Sequence, residues 1–371
     1  MSLNESPDWT ARLRALDDAR RQYDCDAFLV SAPANLRYLT GFAGSAGLLV
    51  ATAGEAVLLI DGRYHTSVRE QQAAGRLAAV TPQLVEGRYD AALADALTPR
   101  AVRRVAFEAA HVSVATLEVW RHRLPAVDWR ATERVVERSR EVKDRVEIDI
   151  LRRAGLALAG VASRLREMIR AGQRERDVAR AIEDRLDAAG FSQPAFPTIV
   201  ASGPNSALPH ARPGDRELRQ GDLVVLDFGG VLDGYCVDLT RVAAVGQVET
   251  RAKELFDAVF AAQSAALAVI RHGVAASAVD QAARDELGRR GLGQAFVHAT
   301  GHGLGLELHE APRIARREHE PPEPLLAGMV CTIEPGAYLP GLAGARLEDD
   351  VLVTTTGCEV LTPAPRDLLV V

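Results

Sequence analysis

Short apolar runs alternate with helical patterns over the first part of the chain. The runs FLVSA, GLLVAT and AVLLID are five or six residues long and rich in Val, Leu and Ile, which is typical of buried β-strands. Apolar residues at helical spacing predict helices over 8–22, 64–76 and 88–97. This alternation predicts an α/β domain over residues 1–135.

A different pattern begins at the charged stretch ERVVERSREVKDRVEID, which predicts one long amphipathic helix running to about residue 170. Such a change in element type is typical of a domain boundary. Because 371 residues exceed the usual size of one compact core, we expect two domains, 1–135 and 136–371.

The second domain contains an internal repeat. IRAGQRERDVARAIEDRLDAAG (169–190) aligns without gaps on IRHGVAASAVDQAARDELGRRG (270–291). Identical residues fall at both ends of the alignment and at helical spacing within it. The repeat predicts a duplicated helical segment.

A second pair of matching segments follows, in which GDLVVLDFG aligns on GMVCTIEPG and places Asp227 on Glu334. In each half a further acid, Asp238 or Glu348, lies on the strand that returns from the turn. We therefore expect two halves of two helices and a β-hairpin, related by a pseudo-two-fold axis with the acids near the axis.

These four acids predict a metal site. Asp227 and Glu334 follow strongly apolar strands, where an unpaired carboxylate is costly to bury. Together with Asp238 and Glu348 they carry a charge of −4, which repels itself unless cations lie among them. With the imidazole of His302, the oxygen-rich set suits two divalent ions such as Mn²⁺, Co²⁺ or Zn²⁺. The pattern predicts a metal-dependent hydrolase.

Neighbouring residues compete for these roles. Asp233 lies in a DG dipeptide and is interpreted as a turn residue rather than a ligand. Asp350 shares a strand face with Glu348, so the spacing alone does not choose between them. Among the histidines of the Gly- and Pro-rich segments, His302 is the preferred ligand, because the glycines on either side impose no side-chain bulk on its close approach to a metal. Three others are assigned either to catalysis or to bonding buried backbone groups: His210, His298 and His309.

Composition excludes several other functions. A net charge of −6 with interspersed signs disfavours a nucleic-acid surface. No apolar run has membrane-spanning length, the polar first residues lack a signal-peptide core, and the four cysteines form no C-x-x-C, so we expect a cytoplasmic protein. The chain contains no G-K-[ST], G-x-S-x-G or H-E-x-x-H motif, which disfavours several common enzyme classes.

Four motifs in the second domain carry a resemblance to a known family: DFGGVLDGYCVDLTR, HATGHGLGLELHEAPR, TIEPGAY and RLED. With NLRYLTGFAGSAG and LLIDGRY in the first domain, they resemble the pita-bread metallopeptidases (peptidase family M24), in particular aminopeptidase P and prolidase. The resemblance implies an α+β chain with a C-terminal pita-bread (creatinase/aminopeptidase) fold and a smaller N-terminal creatinase/prolidase-type α/β domain.

The resemblance also implies a role for individual residues. The implied metal ligands are Asp227, Asp238, His302, Glu334 and Glu348, with Asp238 and Glu348 between the two ions. The implied catalytic residues are His210, His298, His309, Glu334 and Arg346. The implied substrate contacts are His210, His309, Tyr338 and Arg313. Val237 departs from the family, in which many members carry serine at that position.

The implied activity is hydrolysis of the bond between an N-terminal residue and a following proline in short peptides, by a homodimer. A water shared by two ions becomes hydroxide near neutral pH and attacks the carbonyl, Glu334 transfers the proton, and His309 stabilises the oxyanion. The alternatives are a creatinase-like hydrolase without metal and a non-catalytic binding protein, and the intact ligand set disfavours both. Dipeptidase and aminopeptidase activity are both compatible with these motifs.

Overall fold

The computed structural model describes residues 6–316 and 323–371. The chain divides into two compact units, Met1–Arg140 and Glu141–Val371. Each unit has its own hydrophobic core.

The N-terminal unit is built on one mixed six-stranded sheet. Its strands are β1 (Ala27–Val30), β2 (Leu48–Thr52), β3 (Glu55–Asp61), β4 (Thr81–Val85), β5 (Arg104–Glu108) and β6 (Asp128–Thr132), in the order β4-β3-β2-β1-β5-β6. Its helices are α1 (Trp9–Gln22), α2 (Pro33–Thr40), α3 (Gly62–Ala73), α4 (Tyr89–Leu97) and α5 (Val114–Arg123), with a 3₁₀ turn at Thr98–Arg100. The three strands and three helices predicted for this region are present, with bounds within three residues of those expected.

The long helix expected at the start of the second domain is instead three helices. They are α6 (Val135–Glu141), α7 (Arg145–Ala162) and α8 (Leu165–Met168). The Asp144 side chain accepts a hydrogen bond from the Glu147 amide, and the Glu147 side chain accepts one from the Asp144 amide. This capping box begins a new helix inside the charged run, so the prediction of one continuous helix was wrong.

The C-terminal unit contains two five-stranded sheets and a separate hairpin. Its further helices are α9 (Glu175–Ala188), α10 (Thr250–Val269) and α11 (Ala276–Arg289), with 3₁₀ turns at Gly203–Ala207 and Gly293–Ala295. Its strands are β7 (Gln193–Pro194), β8 (Ile199–Ser202), β9 (Leu223–Leu232), β10 (Tyr235–Ala244), β11 (Gly301–Gly303), β12 (Glu310–Ile314), β13 (Val330–Ile333), β14 (Gly336–Leu339), β15 (Ala343–Arg346), β16 (Asp349–Val353), β17 (Cys358–Val360) and β18 (Leu369–Val370). One sheet has the order β18-β10-β9-β7 with β8 also paired to β9, the other has the order β12-β11-β13-β16-β17, and β14 pairs with β15.

Each half of this unit buries its own helices against its own strands. In the first half, Val178 of α9 packs in the same core as Leu226 of β9. In the second half, Val279 of α11 shares a core with Ile333 of β13. Among the described residues, no helix combines the length and the apolar character that crossing a membrane requires.

The predicted repeat is a structural duplication. Helices α9 and α11 have the same length of 14 residues and begin at equivalent positions of the alignment. Gly172 and Gly273 both have a positive φ, 84° and 82°, which favours glycine. Their amides donate to the carbonyls of Leu218 and Leu325, each at 2.8 Å. The turn before the helix is therefore held by an equivalent backbone hydrogen bond in each half.

The two hairpins near the axis differ in what they carry at equivalent positions. Asp238 lies opposite Gly229 in the first hairpin, and Arg346 lies opposite the equivalent Gly336 in the second. The equivalent pairs are thus Asp227 with Glu334, Asp238 with Arg346, and Thr240 with Glu348. Of the four acids, only Asp227 and Glu334 therefore lie at equivalent positions of the two halves, whereas Asp238 and Glu348 do not.

Candidate metal centre and active-site cleft

The β9–β10 hairpin places two aspartates on one face. A two-residue turn at Asp233 and Gly234, with φ of 48° and 81°, joins the strands and fixes their register. In that register Asp227 lies opposite Thr240, which follows Asp238 by two residues. Because side chains alternate along a strand, the carboxylates of Asp227 and Asp238 are diagonal neighbours on the same face. Asp233 stays in the turn, as the sequence predicts.

The imidazole of His302 lies on β11 between two glycines. A Cβ at Gly301 would lie 1.9 Å from a carbonyl oxygen of β13, and one at Gly303 would lie 2.1 Å from a carbonyl oxygen of β12. The glycines are therefore required by the close approach of neighbouring strands, whereas the sequence interpretation attributed them to approach of a metal. His302 Nδ1 donates to the Gly303 carbonyl at 3.0 Å, and Nε2 lies 3.5 Å from Glu334 Oε1.

The backbone amide of each glutamate donates a hydrogen bond to a carbonyl near another predicted ligand. The Glu334 amide donates to the Thr300 carbonyl at 2.7 Å, and the Glu348 amide donates to the Thr240 carbonyl at 3.2 Å. Thr240 Oγ1 also donates to Glu348 Oε2 at 2.7 Å. Potential ligand atoms of three residues lie within 4.8 Å of one another: Asp238, His302 and Glu348.

Several buried carboxylate oxygens lack a hydrogen-bond donor among the described residues. They are Asp227 Oδ1, Asp238 Oδ1, Glu348 Oε1 and Asp350 Oδ1. Buried polar atoms are normally bonded, because leaving them unpaired costs free energy. Oxygens left in this way, around one imidazole, fit hard or borderline divalent cations. The donor set therefore suits the ions that the sequence predicts.

Asp350 lies next to this set and makes a different bond. Its Oδ2 accepts a hydrogen bond from the Asp238 amide at 2.9 Å, so it braces the strand that carries Asp238. Asp349 points away, toward Arg241 Nη2 at 2.7 Å and Gln263 Nε2 at 2.9 Å. Glu348 lines the cleft and Asp350 does not, which favours Glu348 as the ligand.

Burial sets the protonation of these groups in the absence of metal. Burial, followed by repulsion between neighbouring carboxylates, raises the pKa of Asp238 and of Glu348 well above the usual range. Burial also raises the pKa of Glu334 to about 7, although nearby Arg346 opposes the shift. For His302, burial lowers the pKa to about 4. The imidazole is therefore neutral at physiological pH, which is the form that binds metals.

Arg346 links the acids to the aromatic side of the site. Its Nη2 lies 2.5 Å from Asp227 Oδ2, and its Nη1 donates to Tyr338 Oη at 2.9 Å and to the Pro209 carbonyl at 3.1 Å. The Tyr338 hydroxyl lies 2.9 Å from His298 Nε2, whose other ring nitrogen lies 2.8 Å from the next carbonyl. Burial lowers the pKa of His298 to about 4, so its neutral ring accepts from Tyr338.

An open cleft of about 630 Å³ lies over the acids. All the predicted metal ligands line it, together with His210, His298, His309, Arg313 and Arg346. Tyr338 lies behind this wall, in contact with His298 and Arg346. His210, His309 and Arg313 are solvent-exposed, so the cleft has an acidic floor and a basic rim.

The sequence interpretation did not identify several residues of the cleft wall. They are Phe196, Pro197, Ile199, Pro209, Ala211, Arg212, Pro213, Ala299, Gly301, Leu308 and Glu310. Many are prolines or neighbours of predicted histidines, which is the only local signal that they carry. Glu310 is further distinguished by a buried ion pair with Lys143, 3.4 Å from Nζ to Oε2.

Carboxylates and one neutral imidazole line a single cleft, and such a donor set can hold divalent ions for metal-assisted hydrolysis. Residues 149–355 match the family model described as Metallopeptidase family M24, and residues 12–142 match the Creatinase/Prolidase N-terminal domain. The chain belongs to metallopeptidase family M24.

Relatives and solved structures resemble nearly the whole chain. The Xaa-Pro dipeptidase of Pyrococcus furiosus is 32% identical over 360 residues, covering 96% of this chain and 99% of the relative. The structure of an Xaa-Pro dipeptidase from Bacillus anthracis gives a TM-score of 0.92 at 31% identity and covers 98% of this chain and 100% of that chain. An X-Pro aminopeptidase from Thermotoga maritima gives 0.86 at 33% identity, covering 96% and 100%. The predicted pita-bread fold with a creatinase-type N-terminal domain is confirmed.

Proposed function

We propose that the protein hydrolyses the bond between an N-terminal residue and a following proline in short peptides. The ligands of its two divalent ions are Asp227, Asp238, His302, Glu334 and Glu348. The main support is the group of buried, unpartnered carboxylate oxygens beside a neutral imidazole. The substrate class is supported by the relatives, which are named as Xaa-Pro dipeptidase and X-Pro aminopeptidase.

The residues around the cleft divide the remaining work. Two divalent ions, proposed to be Mn²⁺, would supply hydroxide at neutral pH and polarise the scissile carbonyl. Glu334, whose pKa in the metal-free protein is about 7, accepts a proton and delivers it to the leaving proline nitrogen. His309 and His210 lie on the exposed rim, where they donate to the oxyanion of the substrate.

Arg346, Tyr338 and His298 form the support for this machinery. Arg346 fixes Asp227, and the Tyr338 hydroxyl bonds both Arg346 and His298. Arg313, opposite His302 on β12, contacts the peptide at the open side of the cleft. A cleft of about 630 Å³ is large enough for a short peptide.

The setting of the enzyme is also part of the proposal. All four cysteines are free thiols, which fits the reducing cytoplasm. A homodimer is proposed from the family resemblance. Light scattering coupled to size-exclusion chromatography measures the dimer directly, and a monomer at working concentration would contradict it.

Metal removal tests the proposed activity. We expect protein stripped of metal to be inactive on Ala-Pro and Ala-Pro-Ala, and to regain activity with Mn²⁺ or Co²⁺, because the acids need cations to act together. Ala-Ala serves as the control peptide. Comparing the two proline substrates separates dipeptidase from aminopeptidase activity. Absence of metal-dependent cleavage of any proline peptide would overturn the proposal, and metal-independent cleavage of a C–N bond would favour the creatinase-like alternative.

A further inference from the structure

A buried carboxylate on α9 holds both ends of the segment that carries His210. The Glu175 side chain accepts hydrogen bonds from the Ser202 amide at 2.8 Å and the Ser202 hydroxyl at 2.7 Å. It also accepts from Asn205 Nδ2 at 3.0 Å and, at the far end of the segment, from the Gly214 amide at 3.2 Å. Only 1% of Glu175 is exposed. The carboxylate therefore closes residues 202–214 into a loop.

A second buried carboxylate does the same in the other half. Asp280 on α11 accepts from the Thr300 amide at 3.2 Å and the Thr300 hydroxyl at 2.8 Å. Its other oxygen accepts from the Arg316 amide at 3.0 Å and from Arg284 Nε at 2.7 Å. Thr300 and Arg316 flank the β11–β12 segment, which carries His302 and also His309 and Arg313.

The two arrangements are related by the duplication, although the acids are not at the same position. In the alignment Glu175 matches Ala276, and Asp280 matches Ala179, one helical turn further on. Residues four apart lie on the same helix face, so a glutamate at one site and an aspartate at the other can reach equivalent strands. Each carboxylate accepts hydrogen bonds from the amide and the hydroxyl of one Ser or Thr that precedes the histidines, and from one backbone amide that follows them.

We propose that Glu175 and Asp280 are positioning residues for the reaction: Glu175 sets the position of His210, and Asp280 sets the positions of His302 and His309. The proposal rests on the proposed peptidase function for its catalytic part. A carboxylate suits this task because both of its oxygens accept, so one side chain bonds both ends of a loop. An amide in its place presents an NH₂ group to one of those donors, which releases that end.

Glu175→Gln tests the first half, with Asp184→Asn as the matched control, since Asp184 is an exposed acid of the same helix. We expect Glu175→Gln to lower kcat on Ala-Pro by about 10- to 100-fold, because small displacements of a catalytic group have such effects. The Mn²⁺ dissociation constant is expected to stay unchanged, because His210 is not a ligand. The His210 ring resonances, followed by NMR without substrate, are expected to shift only in Glu175→Gln.

Asp280→Asn tests the second half, with Asp285→Asn as its control at the position equivalent to Asp184. We expect the Mn²⁺ dissociation constant, measured by calorimetry without substrate, to rise about 10- to 100-fold in Asp280→Asn, as when other supports of metal ligands are removed. Asp285→Asn is expected to bind Mn²⁺ as the wild type does.

A positioning role predicts that Glu175→Gln changes kcat but not Mn²⁺ affinity, and that Asp280→Asn changes Mn²⁺ affinity. General destabilisation would change catalysis and Mn²⁺ binding together in both variants. The proposal would be overturned if Glu175→Gln had the same kcat and His210 resonances as Asp184→Asn. It would also be overturned if Asp280→Asn bound Mn²⁺ with the same affinity as Asp285→Asn. If the wild type cleaves no proline peptide, the proposed function fails, while the NMR and calorimetric comparisons still decide this inference.

Milder variants keep the test usable if the amides prevent folding. Asn205→Ala removes the amide nitrogen that lies 3.0 and 3.2 Å from the two Glu175 oxygens. Thr300→Val removes the hydroxyl that lies 2.8 Å from Asp280. We expect a smaller fall in kcat for Asn205→Ala and a smaller loss of Mn²⁺ affinity for Thr300→Val. Wild-type values for both variants would contradict the proposal.

Discussion

At the scale of single residues, Asp227, Asp238 and Glu348 are buried and each has a carboxylate oxygen without a donor among the described residues, whereas the turn acid Asp233 is exposed. Asp227→Asn or Glu334→Gln removes one anionic oxygen from the site, so we expect less than two bound Mn²⁺ per chain and a fall in kcat of more than about 100-fold. Metal analysis and steady-state kinetics check this. Asp233→Asn, in the exposed turn of the hairpin that carries Asp227, is expected to keep two bound Mn²⁺ per chain and the wild-type kcat. Unchanged turnover in Asp227→Asn would refute the assignment.

Protonation of the buried acids predicts that metal binding releases protons. In the metal-free protein the pKa of Glu334 is about 7, so this carboxyl holds a proton at pH 6 that cations displace. Burial raises the pKa of Asp238 and of Glu348 as well. His302, with a pKa of about 4, is already neutral and contributes none.

Calorimetry in buffers of different ionisation enthalpy counts these protons. We expect at least about one proton released per chain at pH 6, because Glu334 still holds its proton there before Mn²⁺ binds. Absence of proton release at pH 6 would contradict the protonation described above.

The buried pair of Lys143 and Glu310 predicts a large loss of stability when the cation is removed. The side chains are 1% and 6% exposed, so Lys143→Met removes this cation from a buried carboxylate of the cleft wall. We expect the free energy of unfolding to fall by about 3–5 kcal/mol in urea denaturation. Lys253→Met, which affects an exposed pair on α10, is expected to change it by less than about 0.5 kcal/mol. Equal effects of the two substitutions would contradict the buried role.

At the scale of elements, the sequence predicts the strands around the acids better than it predicts their supports. Asp227 and Glu334 interrupt apolar runs, and a charge in such a run is conspicuous because it has no other reason to be there. Glu175 and Asp280 lie on amphipathic helices among other charges, where acids are usually exposed, so nothing local marks them as buried. Their partners are 27 and 20 residues away along the chain and become visible only in the fold.

Backbone geometry limits prediction in the same way. The break before α7 carries a D-x-x-E signal that the strong helical pattern on either side obscured. The glycines beside His302 were correctly associated with close approach, but the approaching atoms belong to adjacent strands. Sequence spacing identifies positions of this kind, whereas the neighbours that require them are non-local.

At the scale of the whole molecule, the two units predict separate responses to metal. Every assigned ligand lies in residues 141–371, so bound Mn²⁺ stabilises that unit by about 2.7 kcal/mol at a concentration 100 times the dissociation constant. Hydrogen exchange measured by mass spectrometry is expected to slow in peptides from 141–371 and to change little in those from 1–140. Equal slowing in both units would show that they respond as one.

Arg346, at the position that Asp238 occupies in the other half, affects how the enzyme is assembled. Its guanidinium already neutralises one of the buried acids, because it lies 2.5 Å from Asp227. A newly made chain can therefore complete this core before an ion reaches it. Metal loading then exchanges protons for cations while Arg346 stays bonded to Asp227, and it needs no refolding around a cofactor.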